Sequence, residues 1–177
     1  MLQVTAAVLL LLFIQCQAED VKPMENFDEN KYMGTWFGAI VASNCAMFKE
    51  MKKDMTRPTI TYAKDGNILK NSVAFKTPKG CQQMDATLET IANGHYKHDS
   101  VHGKNEIIVV NTDYDTTALE MTILVHEGKT CMTAKMFRRD QKLPEDVKEQ
   151  GLKHFHSKGF TNEDILIFTT PAECSPK

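Results

Sequence analysis

Apolar and polar residues alternate over most of the chain, in short runs separated by turn-forming residues. TITYAKDGNILKNSVAF (59–75) reads as two strands joined at Asp65-Gly66, because a tight hairpin needs a residue that accepts positive φ, as glycine does. TPKG (77–80) supplies the next turn, and CQQMDATLE (81–89) then alternates with Met84, Ala86 and Leu88 on one face. ANGHY (92–96) turns again, and NEIIVVN (105–111) is a dense apolar strand. TALEMTIL (117–124) sets Leu119, Met121 and Ile123 on one face against Glu120 and Thr122 on the other, and HEGK (126–129) turns into TCMTAKMF (130–137). The period then changes. In LPEDVKEQGLKHFHSKGF (143–160), Val147, Leu152 and Phe155 fall near helical spacing. Pro144 suits a first helical turn, Glu145 and Asp146 suit the positive end of the helix dipole, and Lys158-Gly159 marks the stop. DILIF (164–168) is a last short strand. Many short antiparallel strands followed by one helix predict an all-β domain, either a closed barrel or a sandwich. A barrel of about eight strands can enclose one small ligand, whereas a sandwich fills its interior with both inner faces.

The N-terminus breaks this pattern. MLQVTAAVLLLLFIQCQAED carries no charged side chain before Glu19, its apolar run Val8–Ile14 is too short to span a bilayer, and Cys16 and Ala18 are small residues at −3 and −1 of a cleavage site. Residues 1–18 are therefore expected to be a secretory signal peptide, and 19–177 a single exported domain with no membrane span. The 21 basic and 23 acidic side chains leave no concentrated basic face of the kind nucleic acid requires. Export makes disulfides accessible. Cys45, Cys81, Cys131 and Cys174 allow three complete pairings, among which spacing does not choose.

Cys45 lies in VASNCAMFKEMKKDM (41–55) and has three open roles: disulfide partner, buried filler, or a reactive thiol whose ionisation Lys49 and Lys52 would favour. Met47, Met51 and Met55 recur at helical spacing. They read either as the apolar stripe of a short lid helix or as part of a loop that Pro58 ends. His95, His98 and His102 lie close together without an acidic or cysteine partner at ligand spacing, so no metal site is expected. No Gly-rich phosphate loop and no G-x-S-x-G element occurs.

Three further motifs narrow the choice of fold. NFDENKYMGTWF (26–37) holds Gly34-Thr35-Trp36, NTDYD (111–115) holds Thr112-Asp113-Tyr114, and MFRRDQKLPEDV (136–147) ends a strand in Arg138-Arg139 just before the helix. In order and separation they resemble the three motifs of the lipocalin family, a likeness that covers 26–174. The resemblance implies an eight-stranded antiparallel up-and-down barrel with one C-terminal helix, plugged at its closed end by Trp36 with Arg139 stacked on the indole. Such a cation–π contact contributes about 0.5–2 kcal/mol. Gly34, Trp36, Thr112, Asp113, Tyr114 and Arg139 would then be structural rather than ligand contacts. The resemblance also implies a Cys81–Cys174 bridge, worth roughly 4–5 kcal/mol by the chain-entropy argument. Around Cys45 the chain is similar to the branch of the family that holds alpha-1-microglobulin, the complement eighth-component gamma chain and lipocalin-type prostaglandin D synthase. The nucleophilic cysteine of that synthase would fall at about Pro58, so the resemblance does not imply an enzyme.

In such a barrel every second side chain faces inward. The expected inward set of the first strand is Trp36, Gly38, Ile40 and Ala42. The expected ligand-binding residues are Ile40, Tyr62, Val73, Phe75, Met84, Leu88, Leu119, Met121, Thr133, Lys135 and Phe137. An inward lysine is costly to bury unpaired, so Lys135 is expected either to meet a ligand carboxylate or haem propionate or to point out to solvent. The implied function is a secreted carrier or scavenger of a small hydrophobic ligand such as a retinoid, fatty acid, bilin or haem. It requires no cofactor, although haem or another chromophore fits the expectation. The alternatives are a redox-active, radical-scavenging or reductase protein acting through a Cys45 thiol at the mouth, and a subunit disulfide-linked to another protein through Cys45. Barrel closure adds one more. If Trp36 lies opposite about Arg139, Cys45 faces about position 130, and a Cys45–Cys131 bridge would leave no free thiol.

Overall fold

The computed structural model describes residues 21–177, so the expected signal peptide, residues 1–18, lies outside them. In chain order the elements are α1 (Glu29–Tyr32), β1 (Gly34–Ser43), α2 (Ala46–Met51) running into a 3-10 turn (Lys52–Asp54), β2 (Thr59–Asp65), β3 (Ile68–Thr77), β4 (Gly80–Ala92), β5 (His95–Ser100), β6 (Gly103–Thr112), β7 (Thr117–His126), β8 (Lys129–Arg138), α3 (Glu145–Ser157) and β9 (Ile165–Ile167). Strands β2 to β8 form an antiparallel meander, β8 pairs with β1, and Gly34 to Phe37 of β1 close the ring on β2. Above that point β2 has left β1, and β9 takes its place along Ile40 to Ala42. Closure leaves no wide-open edge between the first and last strands. Among the described residues no helix is long and apolar enough to cross a membrane.

Turn chemistry sets the hairpins. Asp65 faces Ile68, with Gly66 at φ 62 in the two-residue loop between them. His126 faces Lys129, and the intervening Glu127 and Gly128 take φ 48 and 75. Two positive φ values in succession give a loop whose twist matches the right-handed twist of the strands.

The base of the barrel is closed by aromatic packing. Phe27, Tyr32, Trp36, Leu69, Leu88 and Tyr96 belong to one buried cluster. The guanidinium of Arg139 stacks 3.6 Å from the ring centre of Trp36, and it donates to the carbonyls of Thr35, Met33 and Tyr114 at 2.8, 2.9 and 3.0 Å. Trp36 Nε1 donates to the Tyr32 carbonyl at 2.9 Å. The Thr112–Tyr114 turn is held by its own side chains: Tyr114 N donates to Thr112 Oγ1, and Thr116 N and Thr117 N donate to Asp113 Oδ1, each at 2.8 Å.

Helix α3 lies outside the barrel against β1, β7 and β8. Its Val147, Leu152 and Phe155 join a second cluster with Ile40, Met121 and Met136. Gly151 permits the close approach, since a Cβ there would fall 2.7 Å from Met136 Cε. This placement corrects the expected facing of β7. Leu119 and Met121 point outward under α3, and Glu120 points in, because a covering helix makes the outer face of a strand the apolar one.

A bulge corrects β1 as well. Phe37 and Gly38 face Arg138 and Phe137, but beyond Ala39 the partners become Ile40 with Met136 and Ser43 with Thr133. One extra residue on one strand turns every later side chain to the other face. Trp36 and Gly38 keep the inward phase, whereas Ala42 joins the α3 side and Val41 borders the interior. Ile40 still borders the interior, but its Cδ1 comes within 3.2 Å of the Cβ position of Gly151.

Candidate functional site

Between the aromatic base and the mouth lies a cavity of about 200 Å³. Its walls are Ile60 and Tyr62 from β2, Asn71 and Val73 from β3, Ile107 from β6, and Thr133, Lys135 and Phe137 from β8. Phe48, Met55, Pro58 and Phe168 roof it. Its floor is polar. Glu120 of β7 is 2 % exposed. Its Oε1 accepts from Lys135 Nζ at 2.9 Å, and its Oε2 accepts from the Tyr62 hydroxyl. Lys135 Nζ also donates to Thr122 Oγ1 at 2.7 Å. A buried charge is tolerable only when it is paired and hydrogen-bonded, and here Tyr62 and Thr122 supplement the pair, one on each partner. Burial first, and the Glu120 charge second, push the Tyr62 and Tyr32 hydroxyls well above the ordinary phenol range. Both therefore remain protonated, and Tyr62 acts as a donor.

Lys135, Thr133, Tyr62, Val73 and Phe137 therefore line the cavity. Lys135 does not wait there for a ligand anion, because Glu120 already supplies one. Phe75 and Met84 lie elsewhere, in a groove of about 370 Å³ that also includes Met51 and meets the cavity at Met55, Pro58 and Val73. Leu88 is closed-end core. Leu119 and Met121, under α3, line no part of the cavity. Sequence reasoning misses Glu120 because alternation puts it with Thr122 opposite the apolar Leu119, Met121 and Ile123, on the face that reads as the outside. The available signal was its partner: Glu120 sits directly opposite Lys135 in the β7–β8 ladder.

The lid is the α2 segment. Phe48 is buried, while Met47 and Met51 are 42 % and 50 % exposed. The helix forms, but its inward residues are Phe48 and then Met55, because the chain tightens into the 3-10 turn at Lys52 and the methionine stripe loses its phase. Lys49 Nζ lies 3.0 Å from Asp164 Oδ1, and Lys52 Nζ donates to the carbonyls of Glu163 and Ile165. Backbone and side-chain hydrogen bonds from Thr161, followed by Lys49, hold the Asp164 carboxyl down to about 2.

The Cys45 sulfur is bonded to that of Cys131, and that of Cys81 to Cys174. The Ala39 bulge explains the first bridge. Continuing the Ser43–Thr133 register by two residues puts Cys45 opposite 131 rather than 130. The expectations of a free redox thiol at Cys45 and of a partner bonded through it are corrected accordingly, since all four cysteines among the described residues are in intramolecular bridges. Pro58, about where the resemblance would put a synthase nucleophile, stands in the cavity roof.

Residues 33–171 match the Lipocalin / cytosolic fatty-acid binding protein family. The chain belongs to the lipocalin family. This lipocalin is 40 % identical over 172 residues to an olfactory protein of Lithobates pipiens, with 97 % of each chain covered. It is 32 % identical over 155 residues to the prostaglandin-H2 D-isomerase of Bos taurus, covering 84 % of this chain and 81 % of that one. Its fold matches a solved structure described as the siderocalin Ex-FABP, functioning through dual ligand specificities. The TM-score is 0.72 at 22 % identity, over 83 % of this lipocalin and 99 % of that chain.

Proposed function

We propose that this lipocalin is an exported carrier of a small hydrophobic molecule. The observation that carries the reading is the roofed, mostly apolar cavity with a few convergent polar groups, the usual character of a small-molecule site. The olfactory relative's name supports a small-molecule role, and two disulfides support an oxidising, extracellular setting. Pro58 in the roof, and the lack of a thiol among the described residues that line the cavity, favour a carrier over the isomerase activity named for those relatives. Thiol-based redox chemistry at Cys45 and covalent capture of a partner are set aside because Cys45 is bonded to Cys131.

Two measurements test the proposal. Native mass spectrometry with an absorption spectrum of protein from its natural fluid should show a noncovalent small-molecule adduct and a mature chain beginning at Glu19. Val73→Trp fills the cavity from its wall. It should abolish binding of a small apolar fluorescent probe, 1-aminoanthracene, while the circular dichroism spectrum stays that of the wild type. Undiminished probe binding by a folded Val73→Trp protein would put the ligand outside the barrel.

A further inference from the structure

The polar floor restricts what the cavity can hold, granted the carrier reading above. We propose that the site selects compact neutral molecules bearing one hydroxyl or carbonyl and discriminates against carboxylates, with Glu120 as its specificity-determining residue. Lys135 and Glu120 are the only cation and anion among the residues described as lining the cavity, and they contact each other at 2.9 Å. The floor therefore has no net charge to offer. A carboxylate entering it would lose its water, find the ammonium already neutralised, and face a second carboxylate in a water-poor space where like charges repel strongly.

Hydrogen-bonding capacity points the same way. An ammonium has three N–H donors. Lys135 spends one on Glu120 and one on Thr122, which leaves one. Each Glu120 oxygen accepts one of these bonds, from Lys135 or from Tyr62, and keeps a lone pair. A ligand hydroxyl matches both leftovers, accepting from Lys135 and donating to Glu120. A carbonyl matches the first. Size adds a second filter. The cavity, about 200 Å³, is smaller than the roughly 300–1,000 Å³ of sites for drug-sized ligands, which disfavours haem, bilins and retinoids.

Calorimetric titration of the wild-type protein with two matched pairs, 1-octanol with octanoate and 2-phenylethanol with phenylacetate, tests this. Each alcohol should bind at least tenfold more tightly than its carboxylate. Glu120→Gln keeps the side-chain shape but leaves Lys135 uncompensated, so it should tighten carboxylate binding at least tenfold and erase the preference. Wild-type protein that binds octanoate as tightly as 1-octanol overturns the inference and leaves the carrier reading standing. So does a folded Glu120→Gln protein with an unchanged preference. If Glu120→Gln does not fold, the wild-type pairs decide alone. Failure of all four compounds to bind would instead overturn the carrier reading itself, and this inference with it.

Discussion

Two walls of the barrel obey the same alternation with opposite sense. On β2 and β3, Ile60, Tyr62, Leu69 and Val73 face the interior, and residues such as Lys70 face water. On β7, β8 and the upper half of β1, the apolar residues Met121, Ala134, Met136 and Ala42 face outward, while Glu120, Lys135 and Thr133 border the cavity. The first wall has no helix behind it, only solvent and the C-terminal tail held at Thr59 and Cys81, so its large apolar residues turn inward. The second has α3 behind it, with Phe155 and the Cβ-less Gly151 drawn close. Most of its apolar side chains are buried under the helix, and a paired acid and base face the interior beside Val41 and Phe137. An alternating strand therefore states that its two faces differ, without stating which one is the inside.

This contrast can be broken most sharply at the ion pair. Lys135→Met strands Glu120 as a buried, uncompensated carboxylate, which should cost about 3–5 kcal/mol in chemical denaturation. Adding Glu120→Leu should recover most of the loss. A single variant as stable as the wild type would mean that Glu120 reaches water. On the outer face, Met121→Ala should cost about 2–5 kcal/mol through the cavity it opens beneath α3, yet leave ligand affinity unchanged. Reduced affinity in that variant would put Met121 on the ligand side after all.

The smallest effect concerns the lid that spans both walls. The Asp164 carboxyl is held below its ordinary range, so its contribution to stability is complete above a pH of about 4 and is lost as pH falls towards about 2. In Asp164→Asn the melting temperature should fall less steeply across that window than in the wild type. Parallel curves would show that the hydrogen bonds from Thr161 and the contact with Lys49 contribute nothing through Asp164 in solution.

How much of this was legible in the chain differs by element. The β2–β3 and β7–β8 turns were, because Gly66 and Gly128 answer a local backbone demand. Helix α3 was, because its apolar spacing and its first and last turns agree with one another. The base was legible through family resemblance, with Arg139 on Trp36. Lys135 was found at the cavity for the right parity but assigned the wrong partner, since a partner lying on another strand belongs to pairing and not to spacing. Glu120 was lost with the facing of β7, and the ligand set was misdrawn at Leu119 and Met121 for the same cause.

By itself the sequence determined where the chain turns, that its strands alternate, that one helix follows them, and that four cysteines could pair. Those are demands of the local backbone and of side chains one or two positions apart. The tertiary structure alone decided the phase: the Ala39 bulge that brings Cys45 opposite Cys131, and the helix that turns β7 inside out. A bulge is a small local irregularity whose consequence is felt only across the barrel seam. Which face of a strand is buried depends on what covers it, here a helix that follows only after another whole strand.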